Sequence, residues 1–222
     1  MIMKLEDVHY FSVKKQQHPP VFELAQRTVD ESKKHTGDTA EIDRRIEVLT
    51  HSKDAEHIRQ CSNFLAEAST YNDLLDKGEG PHWVPETSNP TPDIQYSDAH
   101  GKQIPVEVKH LNSPRDEHDA LYAGSTYGGS VDHSYEAGLQ HKITDFVTSA
   151  RRKFKKFNED VNGENSEAGV LYLFFSKSID AGIVDGIAWE KTMKERVTAI
   201  AQPLCAPEIN LVVTDIDEQF QS

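Results

Sequence analysis

The stretch "TPDIQYSDAHGKQIPVEVKH", residues 91–110, reads as two short strands joined by a turn, and it carries charge where a buried hairpin should not. Strand side chains two apart share a face. Glu107 and Lys109 therefore point one way, while Val106 and Val108 point into the opposite layer. Asp93 opens the preceding strand, where hairpin pairing brings it alongside Glu107. Two carboxylates held that close repel, and burial raises the cost further. A divalent cation removes the penalty. Mg²⁺ takes oxygen ligands, commonly one or two carboxylates, and leaves its other positions to water and phosphate. By itself a Glu-x-Lys on a strand is commonplace and usually a solvated face with a cross-strand ion pair, so the surrounding elements have to decide.

Upstream, residues 54–75 have helical periodicity, with Ile58, Cys61, Leu65, Ala68 and Leu75 in one stripe and Lys77-Gly78 as a stop. Glu67 lies at the edge of that stripe, between Phe64 and Tyr71. An unpaired carboxylate there is costly unless it faces a polar site. "PHWVPE" is a candidate strand. The hairpin predicts strands near 92–97 and 104–111 around a "DAHGK" turn. Downstream, residues 135–157 form the cleanest helix, with Leu139, Ile143, Phe146, Val147, Ala150, Phe154 and Phe157 on one side. "VLYLFFS" and "INLVVTD" read as buried strands, with a helix near 188–200 between them. Residues 20–50 are charged and helical in pieces, broken at "KKHTGDT". This order implies an α/β sandwich around a mixed sheet.

The chain has 222 residues, enough for one domain with elaborations, and its net charge is −13. Such a balance argues against broad coating of nucleic acid, although partners respond to local charge. Cys61 and Cys205 are the only cysteines, too few for a disulfide framework or a thiolate zinc site. The opening residues have no signal-peptide core and no run approaches membrane-spanning length, so a soluble cytoplasmic protein is expected.

These elements together resemble the PD-(D/E)XK nuclease superfamily. The signature stands here as Pro92-Asp93, thirteen intervening residues, then Glu107-Val108-Lys109, preceded by Glu67. The likeness covers roughly residues 54–176 in the family's order of elements. It implies a restriction-endonuclease-like mixed sheet flanked by helices over 54–222, with 1–53 as an N-terminal helical extension. It also implies a nuclease that hydrolyses DNA phosphodiester bonds with a metal-activated water. In that resemblance Asp93 and Glu107, helped by the Val108 carbonyl, ligate Mg²⁺ or Mn²⁺. Lys109 is the catalytic lysine and Glu67 the accessory acid. Pro105 departs from a regular third strand, because proline cannot donate to a sheet ladder; the strand is expected to begin there or to be irregular.

Three other features bear on DNA. The run "ARRKFKKF", residues 150–157, is either a phosphate-contacting face or a solvated helix end favoured by the helix dipole. Arg115, Tyr122 and Tyr127 sit in a long polar segment that could close over unpaired bases. His110, His118, His133 and His141 fall in the same region without the four-residue spacing of a helical metal pair. The competing reading is a catalytically inactive nuclease-fold binding protein with an acidic surface. The four charged residues favour the enzyme, and the charge of −13 favours the binder.

Overall fold

The computed structural model describes residues 4–51, 54–111, 132–175 and 186–215. After a 3-10 turn at Leu5–Asp7 come four helices: α1 (His9–Gln17), α2 (Pro19–Ser32), α3 (Thr36–His51) and α4 (Asp54–Asp76). Strands β1 (His82–Trp83), β2 (Ile94–Ser97) and β3 (Gln103–Leu111) follow. Then come α5 (Asp132–Phe157), β4 (Gly169–Phe175), α6 (Gly186–Cys205) and β5 (Ile209–Asp215). The strands form one mixed sheet in the order β1-β2-β3-β4-β5. Pairing is antiparallel from β1 to β3 and parallel from β3 to β5.

Local chemistry places most of the breaks. α4 ends where Gly78 adopts φ +77°, and the Glu79 and Gly78 amides donate back to the carbonyls of Leu74 and Leu75. That double bond closes the helix in the way glycine favours. The β2–β3 turn uses Gly101 at φ +81° and Asp98, whose carboxylate accepts from the amides of His100 (2.8 Å) and Lys102 (2.9 Å). Pro105 lies inside a regular β3, opposite Gln95, which corrects the expectation of a strand starting or distorting there. β3 is paired to β4 only from Val106 onward, so the proline occupies the end of the strand that has a single neighbour.

Two apolar layers sandwich the sheet. On one face Ile94, Val106, Val108, Val170, Tyr172 and Phe174 share a core with α4 and with Phe11, Phe22, Ile42 and Ile46 of the N-terminal helices. The helices of residues 1–53 therefore continue the core of α4 rather than standing apart from it. On the other face Leu111, Leu171 and Leu173 pack with Ile143, Val147, Ala150 and Phe154 of α5 and Val197 and Ala201 of α6. Strand parity thus runs as the alternation implies, with Val106 and Val108 toward α4 and the intervening face of β3 toward α5. Among the described residues, no helix is long and apolar enough to cross a membrane.

Gly169, at the start of β4, lies directly against Phe154 of α5. A Cβ built there would lie 2.7–2.8 Å from three atoms of the buried Phe154 ring. Gly169→Ala is expected to cost about 1–3 kcal/mol, the usual penalty for overpacking a filled core. Urea unfolding reads the loss directly. An unchanged midpoint would show that Phe154 gives way freely.

Candidate active site

The site lies at the end of the β2–β3 pairing, where Ile94 faces Val106, and draws side chains from α4 and α5. Asp93 sits just before β2 rather than within it. Its amide donates to the Val106 carbonyl (3.1 Å), and its carbonyl accepts from Val84 (3.2 Å). Its Oδ2 accepts the backbone N–H of Val108 at 2.8 Å, so the carboxylate is fastened to the middle of β3. Glu107, on the α5 face of β3, is fully buried. Lys109, two residues along the same face, places its ammonium against Glu107 Oε1. Asp93, Glu107 and Lys109 are therefore brought together.

The member that sequence reasoning had not placed here is Lys153. From α5 its Nζ donates to both Glu107 oxygens, at 2.7 and 3.0 Å, and lies 4.0 Å from Asp93 Oδ1. Both carboxylates thus converge on one ammonium. A signal for it exists in the sequence. Lys153 falls three residues after Ala150 and four before Phe157, at the edge of the α5 stripe, as Glu67 does on α4.

The rest of the basic run separates. Arg151 pairs with Glu167 and donates to the Leu204 carbonyl (2.6 Å), Lys156 pairs with Asp160 (2.7 Å), and Arg152 and Lys155 are exposed. The run is neither one phosphate face nor wholly a solvated end.

Glu67 comes from α4 to the same region, but not as an unpaired acid. Arg45 of α3 bonds it, and also bonds Glu41 at 2.9 Å while its guanidinium lies 4.5 Å from the centre of the Trp83 ring. Nothing in the sequence couples two charges on separate helices, so this partner was not legible. Glu67, Asp93, Arg45 and Lys153 line a cavity of about 380 Å³, walled on the far side by residues 84–92. Arg44 reaches the same cavity.

Electrostatics follow the burial. Desolvation, then the Asp93 charge, push the Glu107 carboxyl from 4.5 up to about 7, against the pull of Lys109 and Lys153. Glu67 is likewise raised by burial, with Arg45 opposing. Burial disfavours the charge on Lys109, but Glu107 and Asp93 outweigh it and hold the ammonium above its ordinary value. Burial opposes the charge on Arg45 too, and Glu67, Asp93 and Glu41 overcome it.

Among the described residues, no three His, Cys, Asp or Glu side chains gather closely enough to enclose a cation without help. Two carboxylates and a backbone carbonyl are the hard-oxygen set that Mg²⁺ accepts with water completing the shell. That Asp93 and Glu107 already converge on a cation, the Lys153 ammonium, is the observation that they fit one. His141 is exposed and pairs with Asp145 at 3.4 Å, far in role from this centre. Arg115, His118, Tyr122 and Tyr127 lie outside the described residues, as does the side chain of His133. No protein-family model, no curated protein and no solved structure matches the chain.

Proposed function

We propose that the chain is a metal-dependent nuclease of the PD-(D/E)XK type, hydrolysing DNA phosphodiester bonds on a restriction-endonuclease-like fold. The observation that carries the reading is the convergence of Asp93 and Glu107 on one cationic point, with Lys109 beside them. Asp93 and Glu107, with the Val108 carbonyl, would hold Mg²⁺ or Mn²⁺. A divalent cation there supplies Lewis acidity toward a phosphate oxygen and a water of lowered pKa.

The chain's own residues divide the remaining work. The Val108 N–H keeps Asp93 in one orientation without consuming its second oxygen. Lys109 offers a fixed positive charge where negative charge grows on the phosphate, which is worth most in a site shielded from water. Arg44 and Arg45 line the adjoining cavity, where Arg44 pairs with Glu41 and Glu86 and Arg45 with Glu41 and Glu67, so a phosphate would have to compete with these acids for the arginines. Glu67 neutralises Arg45 and bears on the same centre from the α4 side.

Ion-linked stability tests the reading. An ion bound only by the folded chain stabilises by about 2.7 kcal/mol at a hundredfold excess over its Kd. Millimolar Mg²⁺ or Mn²⁺ is therefore expected to raise Tm by several degrees, and Asp93→Ala to abolish the rise. A Tm indifferent to both ions would count against the site.

The second reading, an inactive nuclease-fold binding protein, draws on one observation: Glu107 is already neutralised by two ammonium groups. It predicts neither ion-linked stabilisation nor cleavage.

A further inference from the structure

Lys153 has a property that sets it apart from Lys109. Lys109 is carried on the same strand as Glu107, two residues away, and is not part of the cavity wall. Lys153 reaches in from another element, α5, and does line the cavity of about 380 Å³. It touches both carboxylates and the cavity.

The charges also count. Asp93 and Glu107 against Lys109 and Lys153 sum to zero, and burial rewards that balance. A divalent ion added to the balanced set would leave two uncompensated positive charges, and it would have to occupy the point already filled by an ammonium. One lysine has to go, and of the two Lys153 is the one that lines the adjoining cavity and is not tied to Glu107 by a shared strand.

We propose that Lys153 is the resident counter-ion of the Asp93–Glu107 pair, standing where a divalent cation binds and turning into the adjoining cavity when that cation arrives. The inference rests on the nuclease reading of the site and states how its metal occupancy is controlled. In the metal-free protein Lys153 keeps two repelling carboxylates together, so the centre is assembled before the ion enters. When the ion takes its place, the ammonium turns into the cavity that Glu67, Glu86, Arg44 and Arg45 line. Glu67 and Glu86 there already pair with Arg45 and Arg44, so the added charge is held best when a substrate phosphate is present as well. Lys153 is in this sense a positioning residue in the metal-free state.

The test is Mn²⁺ binding by the full chain at pH 7.5, followed by the loss of the free-ion EPR signal, for wild type, Lys153→Gln and Lys153→Arg. Lys153→Gln is expected to bind Mn²⁺ at least about tenfold more tightly, the order set by removing a hydrogen bond to a charged group. Lys153→Arg keeps the charge and spans both carboxylates, so it is expected to bind no more tightly than wild type. Should Lys153→Gln unfold without metal, Mn²⁺ is expected to restore its circular dichroism, because the ion replaces the missing charge. Equal, measurable affinities in wild type and Lys153→Gln would overturn the proposal and leave the nuclease reading standing. No Mn²⁺ bound by any of the three folded proteins would overturn both.

Discussion

Glu107→Ala is expected to be among the most destabilising single changes in the chain, costing roughly 3–5 kcal/mol, as removing one partner of a buried ion network does. The side chain is fully buried, and its loss strands the ammonium groups of Lys109 and Lys153, whose side chains are only 23% and 17% exposed. The cost varies with pH because burial and Asp93 raise the Glu107 carboxyl from 4.5 to about 7. The folded chain therefore holds a proton there that the unfolded chain has released. The stability this group contributes is complete below about 4.5 and is lost as pH rises through about 7. The loss on Glu107→Ala is therefore expected to be larger near pH 5 than at pH 8, where the carboxyl is ionised in folded and unfolded chains alike. Glu107→Gln is expected to lose less, since its amide oxygen still accepts from one lysine, and to lack the slope that the wild type shows between those pH values. Urea midpoints across pH give both results. A loss for Glu107→Ala below about 1 kcal/mol, the range of exposed pairs, would mean that the network is not buried in solution.

Lys109→Ala should leave the fold in place and remove turnover. Glu107 keeps Lys153 as a partner, so no charge is left bare. In the nuclease reading Lys109 acts chiefly as charge develops on the transferring phosphate, so its loss should lower kcat far more than DNA affinity. A fixed charge or donor in such a place is worth on the order of 10²–10³ in rate. Cleavage rate and DNA affinity, measured for both proteins in Mg²⁺ and in Mn²⁺, separate the two effects. Equal cleavage by wild type and variant would remove Lys109 from the chemistry.

The elements that carried strong periodicity were legible. The stripe of α5, the apolar β4 and the hairpin turn at Asp98–Gly101 each rest on local pattern, and each lies where that pattern put it. The parity of β3 likewise put Glu107 and Lys109 on the face away from Val106 and Val108. The parts not legible depend on contacts between elements distant in sequence. β1 shrank to His82–Trp83 because Trp83 is held by other means, its backbone N–H by Asp38 (3.1 Å) and its indole N–H by Ser32 (2.7 Å). Asp93 fell outside β2 because its carboxylate bonds the Val108 amide across the hairpin. Arg45 was not legible for the same reason, being one cation among several on α3 that only packing selects. Lys153 stood in the basic run of α5, and its place at the edge of the apolar stripe was the signal that separated it from its neighbours.

The most direct test of the central claim is hydrolysis of DNA by the folded wild type. Linear, circular and single-stranded DNA are each incubated with Mg²⁺ and with Mn²⁺, beside Asp93→Asn and an EDTA control. The account predicts ion-dependent cleavage of at least one substrate by wild type, stopped by EDTA and lost in Asp93→Asn. Absence of cleavage on every substrate with either ion, from protein shown to be folded, would contradict it.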